Sequence, residues 1–308
     1  MDPDPAPTRW TALVNPAAGR GRAQARVAAI TDALAHSSLD VRVHHTTSAD
    51  DLRAAAVDAI GAGHGVIACG GDGTVSMAAA AAAEHDGILG VVATGSGNDL
   101  ARHLGLPRRD PIAALDVVAT GVVARVDLGR AETADGSSTW FTTVANAGFD
   151  AEANRWANTQ PRLTGTPLYV AAVLRTLRTY RPRRVRVTVD GAIAETDAWL
   201  VAIANTRSYA SGMVIAPNAS THDGLLDVCV VGPVSRPEFL RTFPGVFRGT
   251  HVRHPLVAMS RGREVRVETD DGDLELWASG ERVGPLAATL TAAPGALRVM
   301  VAAPRPLT

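Results

Sequence analysis

Lysine is absent from this chain, and all 30 basic residues are arginine. That excludes whole classes of chemistry. A P-loop NTPase needs its motif lysine at the β- and γ-phosphates, a protein kinase needs one on its third strand, and Schiff-base enzymes need the amine itself. Cysteine is scarce as well. Cys69 and Cys229 lie in apolar, strand-like runs and read as buried free thiols in a reducing cytosol, not as a disulfide or metal pair. No apolar run reaches the ~18 residues of a membrane span. Neither sign of charge dominates: the formal net charge is −1, so there is no basic field to draw nucleic acid. The segment Met1–Pro7 is acidic and proline-rich, unlike a signal peptide, and is expected to be disordered.

What is present is ordered. At 308 residues the chain is long enough for two domains, each with its own core. Strand and helix alternate over the first 130 or so residues: strands at Thr11–Val14, Val41–His44, Gly65–Cys69 and Ile88–Val92, and helices near 23–35, 49–60, 75–83 and up to Leu104. Ser48 with Asp51 resembles a capping box. Such alternation predicts a parallel sheet covered on both faces, with ligands at the carboxyl ends of its strands. After Val126–Gly129 the pattern changes. Asp135-Gly136, Asp190-Gly191 and Asp271-Gly272 punctuate alternating strands such as 184–189 and 264–268. Helices are expected at 168–180 and 236–247, and Leu297–Val301 is expected to return to the first domain. The expected fold is a three-layer, Rossmann-like α/β domain over 1–129 with a return of about 292–308, and an antiparallel β-sandwich domain over 130–291.

The most informative turn is Gly70-Gly71-Asp72-Gly73-Thr74, between an apolar strand and an alanine-rich helix. Glycines let backbone approach a ligand closely, and the helix N-terminus offers unpaired N–H groups to phosphate. An aspartate there repels bare phosphate and asks for a metal ion, water or hydroxyl. An ordinary strand-to-helix turn uses the same residue types. Two further strand-end loops carry suitable groups: Asn15-Pro16-Ala17-Ala18-Gly19-Arg20-Gly21 and Gly95-Ser96-Gly97-Asn98-Asp99. Asp72, Asp99 and Asp127 all fall at strand ends and could share one Mg2+, while Asp99 equally suits a helix N-cap and Asp127 a strand-end turn. The arginines at 175, 178, 181, 183, 184 and 186 suit either anionic lipid headgroups or a solvated face.

Together, Asn15-Pro16-x-x-Gly19-x-Gly21, Gly70–Thr74, Gly95–Arg102 and Asp223-Gly224-Leu225-Leu226-Asp227 resemble the diacylglycerol kinase-like family, which includes bacterial lipid kinases and sphingosine kinases. NAD kinases and phosphofructokinases share the glycine–aspartate turn but not the other stretches. The resemblance covers nearly the whole chain. It implies ATP-dependent phosphorylation of a lipid hydroxyl such as that of diacylglycerol, with ATP and Mg2+ as cofactors and ATP in a cleft between the domains. It implies that Asn15, Thr46, the Gly71, Asp72, Gly73 and Thr74 turn, Ser96 and Asn98 contact ATP. Ser96 stands where the family usually has threonine. Asp72, Asp99 and Asp127 match a carboxylate network around the catalytic Mg2+, and Ser220, Asp223 and the Leu225 carbonyl match a second, structural metal site. The family's Asp-Gly-Glu, whose aspartate is taken as general base, corresponds here to Ser279-Gly280-Glu281. Serine is a poor proton acceptor, so the loss weakens activity without necessarily abolishing it. Two alternatives follow: a kinase of a soluble, specialised-metabolite alcohol, or a nucleotide-binding pseudokinase. The expected setting is cytoplasmic, peripheral at the inner membrane face, with a homodimer admitted and no nucleic acid.

Overall fold

The structure, a computed structural model, describes residues 4–16, 23–95, 97–160, 165–210, 212–270 and 273–303. The chain divides into two compact units, Met1–Asp127 with Gly295–Thr308, and Leu128–Pro294.

In the first unit β1 (Arg9–Val14), α1 (Ala23–His36), β2 (Asp40–His45), α2 (Ala49–Gly61), β3 (Gly65–Gly70), α3 (Asp72–Glu84), β4 (Ile88–Ala93), α4 (Asp99–His103) and α5 (Pro111–Thr120) follow one another. The strands pair in parallel in the order β2-β1-β3-β4. Trp10, Ala12 and Val14 face one side and pack with Ile30 and Leu34 of α1 and Leu115 and Val118 of α5. The helices α2 and α3 pack together and against β1, β3 and β4. Because both faces are covered, β3 and β4 are buried at every position, which is why they read as unbroken apolar runs. The α2 cap forms as expected, with Ser48 Oγ accepting from Asp51 N at 3.0 Å. Asp51, however, reaches past the cap to Thr47 N at 2.7 Å.

The chain passes through β5 (Val122–Thr133) to β6 (Ser138–Phe141), β7 (Val144–Gly148), α6 (Phe149–Asn158), α7 (Gly165–Thr179), β8 (Arg183–Val189), β9 (Ala192–Ala198), β10 (Leu200–Ala204), β11 (Leu226–Val231), α8 (Arg236–Thr242), β12 (Val257–Gly262), β13 (Glu264–Glu268), β14 (Glu275–Ala278), β15 (Glu281–Pro285) and β16 (Ala288–Val301). The end of β16 pairs in parallel with β4 through Arg298 and Val299. In the second unit, β12-β11-β10-β7-β14-β15 form one antiparallel sheet. Antiparallel β9, β8 and β13, with the start of β16, form the other. Val187, Val265 and Leu290 from one sheet meet Ile203, Val228 and Leu276 from the other to make the sandwich core. A second apolar cluster joins Phe149, Val173 and Leu177 of α6 and α7 to Trp199 and Phe239.

Several local expectations change. The helix read from Val75 begins at Asp72, so the glycine turn is itself the first helical turn. The helix read over 236–247 stops at Thr242, and Phe243–Arg248 tightens into a 3₁₀ turn. Pro244 has no N–H to continue the α-helical ladder. Two helices went unread. Of these, α5 carries legible signals: Asp110 caps Ala113 N at 3.1 Å, and Pro111 opens the first turn. The Asp271-Gly272 pair lies outside the described residues.

The Asp190-Gly191 turn has positive φ at both residues, 46° and 87°, as a two-residue type I′ hairpin requires. Its carboxylate also accepts from Arg263 N at 3.0 Å and Glu264 N at 2.9 Å, tying β8–β9 to the start of β13. These N–H groups, Glu264 first and then Arg263, hold the Asp190 pKa below its ordinary value. A depressed acid adds stability above its unfolded pKa, about 3.9, that is lost as pH falls through the folded value. Asparagine keeps the left-handed turn and cannot ionise. Asp190→Asn is therefore expected to lower Tm at pH 7 and to flatten the fall in Tm below about pH 4. Melting curves against pH, with an unchanged acid limb as the contrary result, test this.

Candidate functional site

Parallel strands bring every β-to-α loop of the first unit to one edge, the edge where Asn15, Thr46, Gly71 and Asn98 lie. Backbone bonds tie these loops: Asn15 N donates to Cys69 O at 3.1 Å, Thr46 N to Val14 O at 2.9 Å and Thr94 N to Gly70 O at 2.8 Å. Asn15 Nδ2 donates to Thr74 Oγ1 at 3.0 Å. Thr46 is buried, its hydroxyl near Val14 O at 3.4 Å.

Asp72 organises this edge. Its two carboxylate oxygens accept from Asn98 N at 2.9 Å and Asp99 N at 2.7 Å. Those are the N–H groups of the α4 cap residue, Asn98, and of its first residue, Asp99; Asn98 is left-handed at φ 54° and makes no side-chain cap bond. The cap of α4 is thus supplied by α3. The N-cap reading of Asp99 is accordingly corrected: Asp99 opens the helix, is buried, and pairs with Arg102 at 3.5 Å. Gly97 is required by close approach, since a Cβ there would sit 2.5 Å from Asp72 Oδ2. Asp127 Oδ1 accepts from Gly295 N at 2.7 Å. Among the described residues, no three carboxylate, imidazole or thiol groups gather into a metal-holding cluster. The structure brings Asp72 and Asp99 together and gives Asp127 to β16.

The donor set can be tested against a nucleotide. A Cβ on Gly73 would meet nothing within 4 Å, so the first turn of α3 opens on free space. Asn98 Oδ1 is buried and has no hydrogen-bond partner among the described residues. Unpaired N–H groups at a helix start suit phosphate. A spare acceptor beside two carboxylates suits a hydrated cation, and Mg2+ commonly takes one or two carboxylates plus substrate phosphates. The residues fit both groups. Ser96 lies outside the described residues, as do Gly19 and Gly21.

In the second unit Ser279 and Gly280 link β14 to β15 with Ala278 opposite Glu281, and both have positive φ, 50° and 90°. They form a two-residue hairpin turn of the kind aspartate–glycine makes best. Ser279 Oγ accepts from Thr142 N at 3.4 Å, and Ser279 N donates to Val144 O at 3.1 Å. Glu281 is exposed at the start of β15.

In the Ser220–Leu225 loop, Ser220 Oγ accepts from His222 N at 3.3 Å and Asp223 Oδ1 from Leu225 N at 3.1 Å. The cation found there is Arg261, 3.9 Å from Asp223 and 3.5 Å from Asp227. Sequence reasoning missed Asp227 as a charged site residue. Burial raises its pKa, and the nearby Arg261 opposes that rise.

Among the described residues of the second unit, cavities include one of about 410 Å3 bounded by Val187, Ile193, Pro233 and Leu256, and two others that bear on function. One, of about 770 Å3, is polar, and its charges are largely satisfied in the wall: Arg155 with Glu152 at 2.8 Å and Arg183 with Asp273 at 2.7 Å. The other, of about 60 Å3, is narrow and apolar, lined by Phe149, Leu200, Met213, Phe239, Phe243 and Val246 among others. The arginine run is mostly engaged, with Arg184 and Arg186 on Glu195 and Arg175 over the Trp156 ring at 5.6 Å.

Asp72→Ala leaves two buried N–H groups without acceptors, at a cost of about 1–3 kcal/mol each. Asp72→Asn keeps one acceptor and is expected to lose less. Urea denaturation checks the order, and equal stability of all three proteins would remove Asp72 from its capping role.

Comparison with known proteins now adds identity. Residues 9–131 match the diacylglycerol kinase catalytic domain, and residues 143–301 match the YegS C-terminal NAD kinase beta sandwich-like domain. A diacylglycerol kinase of Mycobacterium tuberculosis is 38% identical over 292 residues, 94% of each chain. One from Bacillus subtilis is 27% identical over 278 residues, 89% of this chain and 90% of its own. The crystal structure of a diacylglycerol kinase from Bacillus anthracis shares the fold at TM-score 0.76 and 24% identity, covering 97% of this chain and 98% of that one. With both units matched by family models and a relative aligned nearly end to end, this chain belongs to the diacylglycerol kinase-like family of lipid kinases.

Proposed function

We propose that the protein transfers the γ-phosphoryl group of ATP, with Mg2+, to a hydroxyl of a lipid such as diacylglycerol. The observation that carries the choice of a lipid is the narrow cavity in the second unit, whose surface is largely phenylalanine, leucine, methionine and valine, with Asp150, Thr242, His251 and His254 as polar members, and suits the end of an acyl chain. Bound ATP would supply the phosphoryl group, and Mg2+ would neutralise charge on its oxygens.

The residues have distinct tasks in this reading. The N–H groups at the start of α3, with Gly71 and Gly73 leaving room for phosphate, hold the nucleotide. Asn15 and Thr46 contact it from neighbouring loops. Asp99, with Asp72 beside it, receives the cation, while Asp72 keeps α4 in place. Positioning and charge stabilisation supply most of the catalysis in phosphoryl transfer. A serine at position 279 therefore lowers the rate without removing its main source.

A second reading, a soluble alcohol as acceptor, is favoured by one observation, the serine at a turn where relatives are expected to carry the base aspartate. Transfer of labelled phosphate from ATP to diacylglycerol in mixed micelles, set against soluble extract, separates the two. Label in the lipid is expected. Label confined to a soluble alcohol would replace the first reading with the second, and no transfer to either would favour a nucleotide-binding role.

Gly71→Val is expected to abolish ATP binding in calorimetry, since the branched side chain fills the phosphate approach. Unchanged affinity would move the nucleotide elsewhere. Ser279→Asp suits the left-handed turn and can accept from Thr142 N where serine now does. It is expected to raise the rate on diacylglycerol, by no more than about 10²–10⁴-fold. A neutral or harmful effect would show that another group takes the proton.

A further inference from the structure

We propose that the outward face of α8 and the following 3₁₀ turn is the surface on which the protein docks to an anionic lipid bilayer. The inference takes its partner from the lipid-acceptor reading and adds the place of contact.

This segment is two-faced. Phe239, Phe243 and Val246 point inward and wall the apolar cavity. Leu240 and Phe247 point outward, 44% and 48% exposed. A short helix gains nothing by presenting such side chains to water. Leu256, later in the same segment, is exposed as well, at 42%, and large apolar side chains left in water along one segment mark a protein or membrane contact.

Charge decides between those partners. From Pro233 to Ser260 the chain carries four arginines, 236, 241, 248 and 253, and one acidic residue, Glu238. All four arginines are exposed. Glu238 is bound to His254 Nε2 at 3.0 Å and also feels the charge of Arg241, so one carboxylate stands against four arginines and the segment keeps a positive excess. Exposed aromatic and aliphatic side chains among an excess of arginines complement an anionic bilayer, with apolar groups entering the acyl boundary and guanidinium groups at the headgroups.

The patch is also continuous with the cavity. Phe149 and Phe239 ring centroids lie 4.9 Å apart, Phe239 and Phe243 5.8 Å, and Phe243 and Phe247 6.2 Å. This aromatic file runs from the cavity wall to the exposed Phe247, giving an acyl end an apolar course from bilayer to protein. The arginines of α7 and β8 lack this combination, since several are spent on Glu195, Asp273 and Trp156.

The test is co-sedimentation of the full chain with vesicles of phosphatidylcholine plus phosphatidylglycerol, and of phosphatidylcholine alone, at low salt. The wild type is expected to bind the anionic vesicles preferentially. Arg241→Ser with Arg248→Ser is expected to weaken that binding about 30-fold, since each arginine near an anionic surface is worth about fivefold. Phe247→Ser is expected to weaken it by roughly tenfold through lost insertion. Arg175→Ser with Arg178→Ser on α7 is expected to leave it unchanged. Phosphorylation of a short-chain diacylglycerol dissolved below its aggregation limit should be equal in wild type and the Arg241/Arg248 variant. Sedimentation does not depend on catalysis, so a protein that docks as described but phosphorylates no lipid would overturn the acceptor reading and uphold the surface. Equal vesicle binding by wild type and the α8 variants, or equal loss in the α7 control, would overturn the surface. So would a protein that ignores vesicles and forms a dimer abolished by Phe247→Ser, because the face would then be an interface between copies.

Discussion

A single carboxylate holds the loop-bearing edge of the first unit in shape. Asp72 belongs to α3, yet both its oxygens are spent on the N–H groups of the cap residue and first residue of α4. A negative charge at a helix N-terminus is favourable twice over, through the hydrogen bonds it accepts and through the partial positive charge it meets. Here it also ties the glycine turn after β3 to Asn98 and Asp99 after β4. Gly97 is part of the same bargain, since only a residue without Cβ lets that oxygen approach.

The arrangement leaves the start of α3 open. Its own N–H groups are not capped by a side chain, because its cap position is Gly71. One helix start is thus closed by a carboxylate and its neighbour is left available, which is the asymmetry a phosphate site needs. The lack of lysine fits this division, because the positive potential comes from backbone amides.

The second unit solves a different problem. Its sandwich buries one face of each sheet, and the outer face of β7 and β10 still needs cover. That cover comes from Tyr209, Met213, Ile215 and Ala219 over Val144, Leu200, Ala202 and Ala204, while α6, α7 and α8 gather around Trp199, where the rings of Phe149, Trp199 and Phe239 pack edge-on or tilted at 4.9–5.8 Å. With only 4% aromatic residues in the chain, their concentration in one place is informative. It gives this unit an apolar interior beyond the sandwich core, where the first unit has alanine-rich helices packed tightly on strands.

Much of this was legible in the residues themselves. Unbroken apolar runs marked β3 and β4, Ser48 with Asp51 marked the start of α2, and Asp190-Gly191 marked a hairpin, because periodicity, capping and left-handed turns are local properties. Four ordered motifs identified the family. The unread parts were those set by distant partners. Asp99 looked like a cap until Asp72 was found in that role. Ser279-Gly280 did not look like a turn because serine is a weak left-handed residue, and only the pairing of β14 with β15 shows it. Asp227 stood in the Asp223–Asp227 motif without a role of its own until strand pairing set Arg261 opposite it. Sequence by itself determined the elements and the chemistry available at their ends. Only tertiary structure decided which carboxylate serves which backbone, because a hydrogen bond between residues 26 apart depends on where the sheet has put them.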